Sequence, residues 1–224
     1  SGAVTSGANA IRVGGLLGNN NANSVSGCWA RGSVTTGSSS YYIGGLIGHN
    51  NSWPGPVTSC YATGSVSGGT GSQNVGGLAG SSTFDTQTAF IHSSYSTSYA
   101  SGIYYTGGFV GYTASKGVGL EIVNCFSAGL VMGTEYVGGF VGANAKNYAT
   151  FTDCFYNTET SGTVEYEAEG RNTTQMKDSL YFHGWDFEES WYIRTDSTYP
   201  ALYGLNNAPF AFPDTLRSFH PALS

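Results

Sequence analysis

Before Asp85 the chain contains no carboxylate at all, and the only formal charges in that stretch are Arg12 and Arg31. A site built from paired acids, as glycoside cleavage requires, therefore cannot lie there. Charged residues are only 10% of the 224, the net charge is -6, and no cluster of Lys and Arg exists, so nucleic acid is not expected as a partner. No apolar run approaches the roughly 20 residues that span a bilayer, which excludes a helical membrane insertion within this segment. No Gly-x-Ser-x-Gly elbow is present, and no His-Glu-x-x-His zincin core. The four histidines, His49, His92, His183 and His220, stand alone and read as surface residues. Low charge with abundant Gly, Ser, Thr and Asn would also suit a disordered chain, but 14% aromatic residues at regular positions argue against that.

What is present is a repeat. Gly14-Gly15-Leu16-Leu17-Gly18 returns as Gly44-Gly45-Leu46-Ile47-Gly48, Gly76-Gly77-Leu78-Ala79-Gly80, Gly107-Gly108-Phe109-Val110-Gly111 and Gly138-Gly139-Phe140-Val141-Gly142. The offsets are 30, 32, 31 and 31 residues, a period that belongs to solenoids, propellers or arrays. A second element recurs within each period: Cys28-Trp29-Ala30, Cys60-Tyr61-Ala62, Ser94-Tyr95-Ser96, Cys125-Phe126-Ser127 and Cys154-Phe155-Tyr156. An apolar residue precedes each by three: Val25, Val57, Ile91, Ile122 and Phe151.

Each period thus offers two strand candidates separated by turn-rich stretches such as Asn19 to Ser24. Helix is disfavoured, because each Gly inside one costs about 1 kcal/mol relative to Ala. A propeller blade needs four strands and about 40–50 residues, more than this period holds. The expected fold is therefore all-β: a right-handed parallel β-helix of about five coils with a C-terminal cap. Both residues after each Gly-Gly pair are apolar, so both are expected to face inward. Two explanations of the glycines stay open, a bend that turns both inward, or relief of crowding where coils approach.

The repeat stops after Thr160, giving a division into solenoid (1–163) and capping region with tail (164–224). Thr173 to Phe182 is the one plausible helix, capped by Asn172 or Thr173. Trp185, Phe187 and Trp191 are expected to cover the open end of the last coil. Pro209, Pro213 and Pro221 mark an irregular tail. The chain opens at Ser1 without Met or an apolar leader and reads as a monomeric module of a longer chain.

With both elements in view, the sequence resembles the GLUG-motif repeats of bacterial surface proteins. Val13 to Gly18, Ile43 to Gly48, Val75 to Gly80 and Val137 to Gly142 carry the first half of that pattern, and Ser59 to Gly64 and Asn124-Cys125-Phe126 the second. Thr174-Gln175-Met176-Lys177, Gly184-Trp185-Asp186-Phe187 and Tyr199-Pro200-Ala201-Leu202 look like the segment that closes such arrays. The resemblance implies a secreted or surface-anchored bacterial protein, adhesin-like or lying beside an IgA-type metallopeptidase. It brings no catalytic residues and no cofactor. Ser94 in place of Cys, and Ser98-Tyr99 in place of Gly-Ser, mark the third coil for distortion.

Three constellations remain. The cysteines fall as neighbouring pairs, Cys28 with Cys60 and Cys125 with Cys154. Parallel Cβ vectors on stacked coils favour buried free thiols over disulfides. Glu165, Glu167 and Glu169 alternate, which would put them on one side of a strand as a solvated edge or, less favoured, a Ca²⁺ site. Arg12, Tyr42, Asn74, Tyr105 and Tyr136 lie two before each first glycine, with parity opposite to Val13, Ile43, Val75 and Val137. They are expected to face solvent, where they form a ligand-binding row for a polysaccharide or a host surface glycoprotein or reflect only the preference of Tyr for strands. The alternatives are a β-helix carbohydrate-active enzyme and a passive spacer next to a peptidase domain.

Overall fold

The computed structural model describes residues 2–21, 24–51, 55–84, 89–115, 119–165 and 167–205. Five parallel sheets run the length of a β-solenoid, and each coil contributes one strand to each sheet. In coil 1 these strands are Val4–Ser6, Ile11–Gly14, Leu17–Asn21, Val25–Ser26 and Trp29–Ala30. We call the corresponding sheets faces one to five. Coils 2 to 5 repeat the series over 34–62, 65–96, 99–127 and 131–157. The glycines stack in register, Gly14 on Gly44, Gly76, Gly107 and Gly138.

Five short strands per period, not two, is the first correction to the sequence reading. The chain turns where non-glycine residues adopt the left-handed conformation, which turn-residue composition does not signal. Three such rows recur: Asn9, Ser39 and Gly71; Arg12, Tyr42, Asn74, Tyr105 and Tyr136; and Gly27, Ser59, Ser93, Asn124 and Asp153, all with φ between 45° and 76°. Each is a local cost of roughly 1 kcal/mol for a residue with a Cβ, smallest for Asn, Asp and Gly.

None of the ten Gly-Gly glycines has a positive φ in the left-handed region. They relieve crowding instead. A Cβ on Gly45 would meet the backbone carbonyl of Gly77 and the Cβ of Ala62, and one on Gly44 the carbonyl of Ile47. A Cβ on the third glycine, Gly48 or Gly80, would meet the backbone at Arg12–Val13 or Tyr42–Ile43 of the preceding coil, all within 3 Å. Faces two and three thus pack backbone against backbone. Both residues after the pair do face inward: Leu46, Leu78, Phe109 and Phe140, and Ile47, Ala79, Val110 and Val141, are all buried.

One apolar lumen holds these residues with Val57, Ile91, Ile122 and the buried cysteines. A smaller one between faces one and two holds Val34, Ile43, Val66 and Val75. All four thiols are free. Cys60 and Cys125 donate to the carbonyls of Thr58 and Val123 two residues back, and burial pushes Cys60 up to about 12. Ser94 makes the same bond to His92, 2.8 Å, so the serine replaces the thiol without displacing the chain. Coil 3 is not distorted there: Tyr95 stacks between Tyr61 and Phe126 at 4.9 and 5.0 Å with rings within 5° of parallel.

After Asn157 the chain forms one short helix, Thr158–Ser161, with the Asn157 carboxamide accepting from the N–H groups of Glu159 and Thr160. Gly162 ends it in the left-handed conformation, φ 72°. Glu169–Arg171 then adds a sixth strand to face five. The chain divides into two compact units, 1–173 and 174–224. In the second, the expected helix over 173–182 is replaced by two 3₁₀ turns, Gln175–Lys177 and Ser179–Tyr181, because Asp178 between them is extended. Trp191–Tyr192 pairs antiparallel with Ala201–Leu202, and Trp185 packs on Trp191 at 4.3 Å and on Phe182 at 4.7 Å.

Two pairs of substitutions separate crowding from burial. Phe126→Ala should cost about 3–5 kcal/mol in chemical denaturation, whereas Trp29→Ala, at the half-exposed end of the same ladder, should cost clearly less. Gly45→Ala should destabilise by several kcal/mol while Gly2→Ala, with open space around it, should be neutral. Equal effects of the two glycine changes would contradict the crowding account.

Candidate functional site

The left-handed row on face two decides what that face presents. The register pairs Ile11 with Tyr41 and Val13 with Ile43, and the residue between them is left-handed in every coil, a kink at the same place in each strand. A left-handed residue breaks the strict alternation of a strand's two faces. Tyr41 and Tyr104, one residue before the expected row, therefore also lie on the outer surface. The sequence reading missed them because it applied strict alternation. The face is two columns wide: Arg12, Tyr42, Asn74, Tyr105 and Tyr136, beside Ile11, Tyr41, Gln73, Tyr104 and Glu135.

Exposure along the expected row is uneven. Tyr136 is 58% exposed and Arg12 is exposed, Tyr42 and Tyr105 are half-buried, and Asn74 is buried at 8%, contrary to expectation. Asn74 lies between the larger tyrosines of coils 2 and 4, which is the physical reason for its burial. Tyr105 stacks on Tyr136 at 4.9 Å and leans on Tyr112 of face three at 5.3 Å. Tyr42 packs on His49 at 4.9 Å. His49 is buried, with its ring nitrogens 3.0 Å from Asn19 Oδ1 and 2.8 Å from Thr83 Oγ1. Burial, with Arg12 adding a smaller repulsion, lowers it to about 4. It is a structural support of Tyr42, not a surface residue.

The three glutamates part ways. Only Glu169 lies in a strand, so alternation does not gather them. Glu169 pairs with Arg171 at 3.3 Å, and the Arg171 guanidinium covers the last ring of the aromatic ladder, 3.5 Å from the Phe155 centroid. Glu167 accepts from Asn144 at 3.2 Å. Among the described residues no group of three His, Cys, Asp or Glu is placed to hold a metal.

Glu165 has a role no sequence signal announced. In coils 2 to 5 the carbonyl after the Gly-Gly pair accepts two N–H groups from the preceding coil. Leu46 accepts from Leu16 and Leu17, Leu78 from Leu46 and Ile47, Phe109 from Leu78 and Ala79, and Phe140 from Phe109 and Val110. At coil 5 no carbonyl follows. Glu165 Oε2 takes its place, accepting from Phe140 and Val141, the latter at 2.8 Å, while Oε1 accepts from Ala168 at 3.2 Å. Tyr156 stands in the register of Ala30, Ala62, Ser96 and Ser127, against Gly139, and its hydroxyl accepts from the Glu165 N–H. Desolvation of the enclosed carboxylate raises it to about 7, against the lowering effect of the three N–H groups and with Glu167 adding to the rise.

Comparison with known proteins now bears directly on this geometry. Residues 39–67, which run from the end of face one in coil 2 to the start of coil 3, match the family model described as the GLUG motif. That segment is similar to a GLUG motif. The solved structure of a Bacteroides ovatus protein, named only provisionally as an immunoglobulin A1 protease, is similar with a TM-score of 0.61 and 18% identity. The match covers 90% of this chain and 67% of that one, and at such identity it speaks for the fold alone. Among curated proteins none matches significantly.

The pH dependence of the solenoid follows from two groups with opposite signs. Glu165 is raised from 4.5 to about 7, so its contribution is complete below 4.5 and is lost as pH rises through 7. His49 is lowered from 6.5 to about 4, so its contribution is complete above 6.5 and is lost as pH falls through 4. In the wild type the two slopes oppose each other between about pH 4.5 and 6.5. Glu165→Gln should expose the histidine slope, with stability rising over that range, and His49→Gln the glutamate slope, with stability falling, each by up to about 3 kcal/mol. Urea titrations across pH 4–8 measure both; identical profiles for the three proteins would contradict the assignment.

Proposed function

We propose that this solenoid is a non-catalytic module of a secreted or cell-surface bacterial protein, and that face two binds an extended polymer, a polysaccharide or the glycans of a host glycoprotein. The observation that carries this reading is conformational. Three of the five left-handed positions on face two hold tyrosine, although Asn and Gly occupy such positions at lower cost. Backbone strain kept under an aromatic side chain is a reason to look for work done by that side chain. The columns of Tyr41, Tyr42, Tyr104, Tyr105 and Tyr136 offer flat rings for stacking, with Arg12, Gln73 and Glu135 as hydrogen-bonding neighbours. A face repeated along a stack suits a repetitive ligand, each contact weak and the sum useful. A module carried beside a peptidase domain agrees with the provisional protease name of its structural neighbour, and the same face could then hold the peptidase at a glycosylated surface.

A glycan array and immobilised host-matrix glycoproteins test the reading. Tyr42→Ala, Tyr105→Ala and Tyr136→Ala should each weaken binding by about 1 kcal/mol, roughly fivefold, and leave the fold intact. Unchanged binding by the triple variant, or a ligand located on Glu165, Glu167 and Glu169, would overturn it. Silence across all glycans would favour the spacer, and turnover of a polysaccharide the enzyme.

A further inference from the structure

The wall where faces two and three meet changes character at coil 3. The register sets Asn74 level with Tyr42 and Tyr105, and Ser81 level with His49 and Tyr112. Coil 2 fills these two places with Tyr42 and His49, whose ring centroids lie 4.9 Å apart, and coil 4 with Tyr105 and Tyr112 at 5.3 Å. Coil 3 fills them with a carboxamide and a hydroxyl. The rings therefore fall into two groups, Tyr41, Tyr42 and His49 on one side and Tyr105, Tyr112 and Tyr136 on the other. Among the described residues no ring contact joins the two groups.

The break is one ring wide. Tyr105 and Tyr136, on adjacent coils, stack at 4.9 Å. Tyr42 and Tyr105 are two coils apart, about 9.6 Å at the ordinary strand spacing. One flat ring at the level of coil 3 lies at stacking distance from both. The polar groups at that level are unengaged. Ser81 Oγ is buried with no hydrogen-bond partner, and among the described residues the carboxamides of Asn74 and Gln73 have none either. Enclosed polar groups are ordinarily paired, so three unpaired ones side by side point to a ligand that supplies the partners. Charge is absent here. The nearest charged residues of face two are Arg12 in coil 1 and Glu135 in coil 5, each two coils away. His49 is engaged elsewhere, reaching past Ser81 to Thr83 Oγ1 at 2.8 Å.

We propose that this break is a subsite for one uncharged sugar ring, a neutral hexose or N-acetylhexosamine unit, held between Tyr42 and Tyr105 with its hydroxyls on Asn74 and Gln73. The inference rests on the reading of face two as a glycan-binding surface and names the unit that the surface takes. A sugar ring has C–H faces that lie on aromatic rings and an edge of hydroxyls that pairs with amides, the two kinds of group that coils 2 to 4 bring together here. A uronate, sialate or sulfated unit does not fit. No cation stands at coil 3 to pair with it, and the faces of the flanking rings carry partial negative charge.

The test titrates the full chain with neutral oligosaccharides of glucose, galactose and N-acetylglucosamine, and with oligogalacturonate and sialylated oligosaccharides as the acidic set. The protein should bind within the neutral set and ignore the acidic one. Asn74→Gly keeps the left-handed backbone and removes the carboxamide, and should weaken binding about fivefold. Asn74→Tyr continues the ring column, in a conformation that Tyr42, Tyr105 and Tyr136 already hold at φ 56–58°. It should weaken binding about tenfold or more although it adds an aromatic residue, because its ring takes the place of the sugar. Thermal unfolding checks that both variants fold. If Asn74→Tyr does not, Asn74→Gly and Gln73→Ala decide, and unchanged binding in both overturns the subsite. Equal or tighter binding by a folded Asn74→Tyr variant overturns the subsite and leaves the glycan-binding reading of face two intact, as does a preference for the acidic set. Silence of the wild type toward both sets overturns that reading and the subsite together.

Discussion

Everything in this molecule depends on how closely one backbone can approach another at the Gly-Gly corner. Two N–H groups of one coil reach a single carbonyl of the next only because neither glycine has a Cβ. That approach lets the corner keep the hydrogen-bonded spacing shared by the five sheets, and the spacing sets the rest. It brings the rings of Tyr61, Tyr95 and Phe126 to about 5 Å and stacks the side chains of Leu46, Leu78, Phe109 and Phe140 into one lumen. The third glycine also lets the backbone of faces two and three touch beside the left-handed residues of face two. The tyrosine columns are thus a consequence of the same packing that makes the core.

A column of aligned hydrogen bonds has ends, and the ends carry the chemistry that the interior lacks. The interior of the solenoid is nearly free of charge. Arg171 is buried over Phe155, and Glu165 is a carboxylate brought into a desolvated site because an anion at the N–H end of a dipole column satisfies groups that otherwise have no partner. Its raised affinity for a proton records the cost of that enclosure. His49 carries the opposite strain, a base kept neutral beneath Tyr42. Both carry a polar contact that the repeat itself does not supply at that place.

Much of this was legible in the sequence. The spacing of Gly14, Gly44, Gly76, Gly107 and Gly138 gave the period, and the paired apolar residues after each glycine gave the lumen. The number of strands was not legible, because corners at Tyr42, Tyr105 and Asn124 use residues that ordinarily extend a strand or cap a helix. The burial of Asn74 and the outward turn of Tyr41 and Tyr104 followed from those same corners. Glu165 was hidden for another reason. It occurs once, outside the repeat, and its partners Phe140 and Val141 lie 25 and 24 residues away. The break between Gln175–Lys177 and Ser179–Tyr181 escaped notice because Asp178 is compatible with both a helix and an extended residue.

Amide hydrogen exchange, residue by residue, tests the central claim most directly. The N–H groups of Leu46, Ile47, Leu78, Ala79, Phe109, Val110, Phe140 and Val141 should be among the slowest to exchange in the folded protein. In Glu165→Ala, Phe140 and Val141 should exchange about tenfold faster or more, the factor that 1.4 kcal/mol of lost local protection represents, while Leu46 and Ile47 stay unchanged. Exchange at Phe140 and Val141 that is indifferent to Glu165 would contradict the account.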